Sequence, residues 1–237
     1  MFITKKNIVI AIITASASIF WAGCQLAGNL ATETDSEKVV PAEFQMADTE
    51  GKIVVIVTQP AWIKTPVDLR ATLTDAFNFA IEKKAGIKKN RLSPYADVLN
   101  ARLALPEDKR DSAFDIAGKL SAKYVIIVQV LDFDLSTFAE KDFYNGSMQT
   151  KTCLFDANES KLWPEKSDNL ENAENAKSKE GCRDMTVGIE AEKGTVKTAV
   201  ERLSVATAHC VSRYFYNCKK PLFRIAEEQK KYDYYTW

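Results

Sequence analysis

The chain has 237 residues, 32 of them Lys or Arg and 32 Asp or Glu, with a single histidine. A formal charge of zero with no concentrated basic run excludes the usual electrostatic footprint of a nucleic-acid binder. One histidine excludes zinc sites built on His pairs and weakens any triad.

Lys5 and Lys6 are the only charges before Glu33, and an apolar run from Ile8 to Ala22 follows them. A basic n-region and an h-region of about 15 residues read as a secretory signal, too short for a comfortable membrane span. The run ends Trp21-Ala22-Gly23-Cys24. Small residues before a cysteine at this place resemble a bacterial lipobox, with Trp21 where the pattern prefers Leu. The resemblance implies a signal peptide over 1–23, cleavage before Cys24 and acyl chains on that residue. An ordinary cleaved signal and an uncleaved anchor are the alternatives. Gln25 stands where an Asp would hold an enterobacterial lipoprotein in the inner membrane, so an outer-membrane lipoprotein facing the periplasm is expected. Losing Lys5 and Lys6 takes the formal charge from 0 to about −2.

The five cysteines fit this reading. Lipid on Cys24 leaves Cys153, Cys182, Cys210 and Cys218, an even set in a compartment that permits disulfides. Cys210 and Cys218 fall on one predicted helix, roughly 12 Å apart at its rise per residue, and cannot pair unless it ends between them. Cys153 with Cys182, bridging a polar loop, is the first pairing to expect; buried free thiols are the alternative.

Residues 24–50 are small, polar and mildly acidic, and read as a lipidated flexible tether with an r.m.s. span of roughly 25–30 Å. A domain over 51–220 follows. Ile53–Val57 is a short β-branched run closed by Pro60, and reads as a strand. Thr65-Pro66-Val67-Asp68 has the order of a helix start, with Thr at the N-cap, Pro at N1 and an acid at N3. The helix places Leu69, Leu73, Ala76, Phe77 and Ala80 on one face and stops at Gly86. Lys83 and Lys84 suit the negative end of its dipole, a basic binding patch being the functional alternative. Residues 90–94 are a weak strand candidate. Two helices are expected next, over Tyr95–Leu105 and Glu107–Ala122.

Lys123–Thr137 is the central strand. Val125 to Val128 are all β-branched, so its first half is covered on both faces, whereas Asp132 and Asp134 alternate with Leu131, Phe133 and Leu135 toward an edge-like exit. Phe143–Asp156 places Met148, Thr150, Thr152 and Leu154 on one side and fits an antiparallel partner. Leu162-Trp163 begins a return strand, 164–181 is a charged, solvated insertion, and Arg183–Glu190 is a further short strand. Gly194-Thr195 starts the longest helix, to about Tyr216, and an aromatic tail over 221–237 ends the chain. The expected fold is α/β: a mixed sheet of four to five strands in the order β-α-β-α-α-β-β-α, with helices packed on both faces.

The segment Ala122-Lys123-Tyr124-Val125-Ile126-Ile127-Val128-Gln129-Val130 resembles the G-A-D-Y-V-L-x-G-x-V stretch of a bacterial envelope superfamily. It includes the curli secretion lipoprotein CsgG, the penicillin-binding-protein activator LpoB and the N-terminal domain of TolB. Leu154-Phe155-Asp156 and Leu162-Trp163 echo its second hairpin, one residue shorter and without the Gly. The resemblance covers roughly 51–217. It implies a domain without enzymatic activity that binds other envelope proteins or assembles with itself. A pore of the curli type needs lipid-facing strands, and the insertion at 164–181 is too charged to supply them.

The chemistry legible in the chain is sparse. His209 lies on the flank of the last helix stripe, where a partly solvated residue is expected. Asp132 and Asp134 share one face of a strand end, a place where α/β sheets often keep their sites. Ser112, Ser121 and Ser147 lack nucleophile-elbow surroundings, and there is no phosphate loop or C-x-x-C pair. The expectation is therefore no catalytic, cofactor or metal site, with the membrane (through Cys24) and envelope proteins as partners. The alternatives are an envelope hydrolase or metal-dependent enzyme using Asp132 and Asp134, and a self-associating scaffold ring.

Overall fold

A computed structural model describes residues 38–137, 142–164 and 181–220. The expected signal peptide, Cys24, most of the charged insertion and the tail from 221 to 237 lie outside the described residues. The elements in chain order are β1 (Lys38–Val40), β2 (Ile53–Thr58), α1 (Leu69–Lys84), α2 (Tyr95–Leu103), α3 (Ala113–Lys119), β3 (Tyr124–Thr137), β4 (Phe143–Asp156), β5 (Lys161–Trp163), β6 (Arg183–Lys193), α4 (Val196–Ser212) and β7 (Cys218–Lys220). β1 and β7 pair in a small sheet of their own, belonging to a second unit of the chain. The unit from Pro41 carries the main sheet, ordered β2-β3-β4-β5, with β6 also paired to β4.

β2 is buried from Ile53 to Val57 because both its faces meet helices. Ile53, Val55 and Val57 enter one apolar cluster with Leu69, Leu73 and Phe77 of α1 and Val200, Leu203 and Val211 of α4. Val54 and Ile56 enter the other, with Val98 and Ala101 of α2 and Ile116 and Ala117 of α3. Each such aliphatic side chain contributes roughly 1.5–3 kcal/mol on burial, which favours a strand here over any exposed alternative. β3 lies parallel to β2, from Ile53 beside Tyr124 to Thr58 beside Gln129. It runs antiparallel to β4 along its whole length. The mixed sheet with helices on both faces is thus the fold that the alternation of apolar runs and amphipathic stretches implies.

A β-bulge explains the change of pattern within β3. Val130 pairs with Thr150 and Asp132 with Gln149, so Leu131 is the extra residue. A regular pleat would send Phe133 and Leu135 away from the side that Ile126, Val128 and Val130 face. The extra residue resets the phase, and both pack against the larger cluster.

Several boundaries differ from expectation. α1 begins later, because Asp68 is its N-cap and accepts from the Arg70 amide, while Thr65 Oγ1 donates to the Val67 carbonyl instead. Residues 90–94 make no strand: Lys89–Arg91 is a 3-10 turn, and only Leu92 bridges, in parallel, to Ile53. The helix expected from Glu107 starts at Ala113, since Ser112 caps it and 107–109 form a separate 3-10 turn. β6 runs on to Lys193, beyond the expected Glu190. The distal part of the expected tether, from Pro41, belongs to the folded unit. Met46 is fully buried in the larger cluster, and the amides of Glu43 and Phe44 both donate to the Tyr214 carbonyl.

Candidate functional site

The helices do not cover the whole sheet. α2 and α3 shield the face that carries Val125 and Ile127 as far as Phe155, whose ring meets Phe114 edge-on at 5.3 Å. β3 and β4 continue past that cover. Cross-strand rows of polar residues lie on the uncovered part: Gln129, Lys151 and Asp184; then Asp132, Gln149 and Thr186; then Asp134, Ser147 and Gly188. Their alternation with buried Met148, Thr150 and Thr152 is the period of a sheet with one wet face.

The third row borders an open hollow of about 450 Å³, lined by Asp134, Asn145, Gly146, Ser147, Gly188, Ile189 and Glu190. Gly146 leaves room on the reverse side: a Cβ there would stand 3.0 Å from Leu135 Cδ1 and 3.2 Å from Leu203 Cδ2 of α4. Gly188 is different, because a Cβ there would meet only the Gly146 carbonyl at 3.5 Å. Its place opposite Ser147 removes a side chain from the floor of the hollow.

Asp132 and Asp134 stand together on this wet face, as their spacing requires. Asp132 Oδ1 accepts from the Phe133 amide at 2.9 Å, a bond local to the bulge. Among the described residues no group of three His, Cys, Asp or Glu side chains is placed to hold a metal ion. His209 is not a partly solvated helix residue. It is buried on the other side of the sheet, with Nε2 2.8 Å from an Arg213 guanidinium nitrogen. Burial first, and then the charges of Arg213 and Lys84, push its pKa down to about 4. A neutral imidazole behind the sheet cannot serve carboxylates in front of it.

Of the serines, Ser112 caps α3, Ser121 sits in a turn at φ +53°, and Ser147 borders the hollow. Cys153 and Cys182 form a disulfide with Cα atoms 5.0 Å apart. It extends the β4–β6 ladder by one step beyond the pair Thr152 and Arg183. Cys210 and Cys218 carry thiols; α4 ends at Ser212, so the two do not share a helix.

Sequence reading missed Gly188, Glu190 and Asn145 in the hollow and the anchoring role of Glu43. The hollow depends on the β4–β6 register, which sets Ser147 opposite Gly188 across the intervening insertion, a pairing that no local pattern spans.

No family model matches the chain, and no curated protein matches it. Among 23 matching chains of solved structures is a lipoprotein from Neisseria meningitidis, 13% identical, covering 69% of this chain and 99% of its own, with a TM-score of 0.38. A hypothetical protein from Chlamydia trachomatis is 12% identical over 70% of this chain and 98% of its own, with a TM-score of 0.36. The PelC dodecamer from Paraburkholderia phytofirmans is 11% identical over 76% of this chain and 97% of its own, with a TM-score of 0.39. At TM-scores below 0.5 these likenesses carry no functional argument.

Proposed function

We propose that the protein is a lipid-anchored interaction module of the bacterial cell envelope, without enzymatic activity, that holds another envelope protein on the wet face of β3, β4 and β6. The observation that carries this reading is the length of β3 and β4, which run 14 residues each and outreach the helices that cover the sheet. An antiparallel sheet commonly leaves one face wet, and a docking platform uses such a face with its cross-strand rows held rigid. The lipobox resemblance at Cys24 supports the anchor, and its tether would keep the platform near a bilayer. Asp132 and Asp134 serve in this reading as polar contacts of the platform.

The experiment is photo-crosslinking in membranes of the native host, with a crosslinking residue at Gln149 and a control at Lys197 on α4. An adduct from 149 alone supports the platform, and its mass separates a foreign partner from a second copy of this chain. Equal adducts from both positions, or none from 149, would overturn it. Mass spectrometry of the N-terminal peptide tests the acyl chains on Cys24 independently.

A further inference from the structure

Charge is distributed unevenly between the two ends of the sheet. β2 and β3 start side by side, and Lys52 and Lys123 immediately precede them, with the Lys123 amide donating to the Lys52 carbonyl at 2.8 Å. Gly51, at φ +111°, allows this approach: a Cβ there would stand 2.9 Å from Lys123 Cβ. Arg91 Nε ties the 3-10 turn to the same place through the Gly51 carbonyl, at 2.8 Å. That turn brings Lys88 and Lys89, both exposed. α1 ends here with Lys83 and Lys84, and α3 with Lys119. The acids at this end are fewer. Glu82 pairs with Lys83, Asp156 is occupied by the Asn158 and Ser160 amides of its own turn, and Asp48, Glu50 and Glu159 are exposed there, against Lys52, Lys83, Lys84, Lys88, Lys89, Arg91, Lys119 and Lys123. The opposite end of β3, β4 and β6 carries Asp132, Asp134, Asp142 and Glu190 against Lys193. Helix dipoles account for Lys83, Lys84 and Lys119. They do not account for Lys52, Lys88, Lys89 and Lys123, which sit on no α-helix end and form no ion pair among the described residues, although Lys123 Nζ stands 5.7 Å from the centre of the Tyr124 ring.

The chain enters the unit at this basic end. α4 starts beside Asp142, where the Gly194 amide donates to the Asp142 carbonyl, and its far end delivers Tyr214 to the amides of Glu43 and Phe44. The expected tether from Cys24 to the start of β1 at Lys38 would have an r.m.s. reach of roughly 19–22 Å. That length holds the entry point within a few Debye lengths of whatever surface Cys24 occupies.

We infer that the basic end, centred on Lys52, Lys88, Lys89 and Lys123, is a docking face for a bilayer rich in anionic phospholipid. The inference rests on the lipid anchor proposed above. Docking by this end turns the acidic end and the hollow outward, away from the membrane, and sets the orientation in which the platform meets its partner. Contacts of this kind are long-range and weaken with salt.

The test is amine labelling read by mass spectrometry on the acylated full-length product, purified from native membranes and reconstituted. One set of vesicles is phosphatidylcholine; the other is an equal mixture of phosphatidylcholine and phosphatidylglycerol. In the anionic vesicles, labelling of Lys52, Lys88, Lys89 and Lys123 is expected to fall about threefold or more, and to recover in about 0.5 M salt. Lys109 and Lys193 are expected to label alike in both. The double variant Lys88→Glu, Lys89→Glu is expected to lose the protection of Lys52 and Lys123. Flotation with phosphatidylcholine vesicles reads the anchor separately. Protein that floats but labels equally on both membranes overturns the docking face and leaves the anchor standing; protein that does not float overturns both.

Discussion

Trp163 Nε1 donates to Glu43 Oε2 at 3.1 Å, joining residues 120 apart in sequence. The same oxygen accepts from Arg183, whose guanidinium carbon lies 5.4 Å from the centre of the Tyr214 ring. Trp163 is 2% exposed and packs on Tyr214 and Phe215, each at 5.0 Å between ring centres. The chain entering the unit is thus fastened to the end of β5, the start of β6 and the end of α4 at one point.

Glu43→Ala removes the acceptor of a buried indole N–H and is expected to destabilise the fold by about 1–3 kcal/mol. Glu43→Gln keeps a carbonyl oxygen in reach of the indole and loses only the charge, so a smaller loss is expected. The urea midpoints of the two variants, at unchanged m-value, measure the difference. Equal midpoints for both would show that the charge of the Arg183 pair, and not the indole hydrogen bond, matters at this site.

The Cys153–Cys182 bond closes a loop of 29 residues in sequence. Chain-entropy scaling for a loop of that length gives about 3–4 kcal/mol of stabilisation through the unfolded state. Cys153→Ser with Cys182→Ser is expected to lower the melting temperature by that equivalent. Added reductant should lower it equally in the parent and do nothing further to the variant. Since β6 reaches the sheet only through β4 among the described residues, amide exchange should rise first along Arg183–Val187.

The sheet and its helices were legible because their signals are local. Four β-branched residues in a row at Val125–Val128 can be covered on both sides only within a layered fold, and Leu69, Leu73 and Phe77 mark the covering face of α1. Failures came where a polar side chain chose between adjacent turns. Asp68 out-competes Thr65 as the α1 cap, and Ser112 takes the α3 cap that composition assigned to Glu107. The burial of His209 was misjudged because α4 is covered around more of its circumference than its apolar stripe suggests: Ser204, Thr207 and Ser212 are also buried, each donating to a backbone carbonyl of its own helix. Asp132 and Asp134 were placed correctly on one face. The hollow beside them was not legible, because it is made by pairing across the insertion.

Leu131 supplies the residue that the β3 bulge accommodates. Its deletion leaves Val130 and Phe133 separated by Asp132 alone, which restores a regular pleat and keeps Phe133 and Leu135 against the larger cluster. The expected cost is therefore about 1 kcal/mol or less. Inserting an alanine after Val130 instead either keeps the bulge and turns Phe133 and Leu135 toward water, or restores a regular pleat and slides Phe133 from its place opposite Met148 to one opposite Gly146. A loss of about 2–3 kcal/mol is expected there. Melting temperatures of the two variants, taken side by side, decide whether phase or side-chain identity controls this strand.

His209 makes the stability depend on pH in a defined window. It is 6% exposed, beside Arg213 and with Lys84 near, and its pKa stands at about 4 against a model-peptide value of 6.5. The unfolded chain takes up a proton near the higher value, the folded chain only near the lower. Between them the unfolded state binds more protons, so stability falls as pH drops from 6.5 toward 4 and is independent of this group above that window. The full loss is on the order of 3 kcal/mol. His209→Gln keeps an acceptor for Arg213 and removes the titration. The variant should therefore lose less stability than the parent between about pH 7 and about pH 4.5, by urea midpoint. Parallel profiles for the two proteins would mean that the carboxylates alone set the acid limb, and that the imidazole is better hydrated than its burial implies.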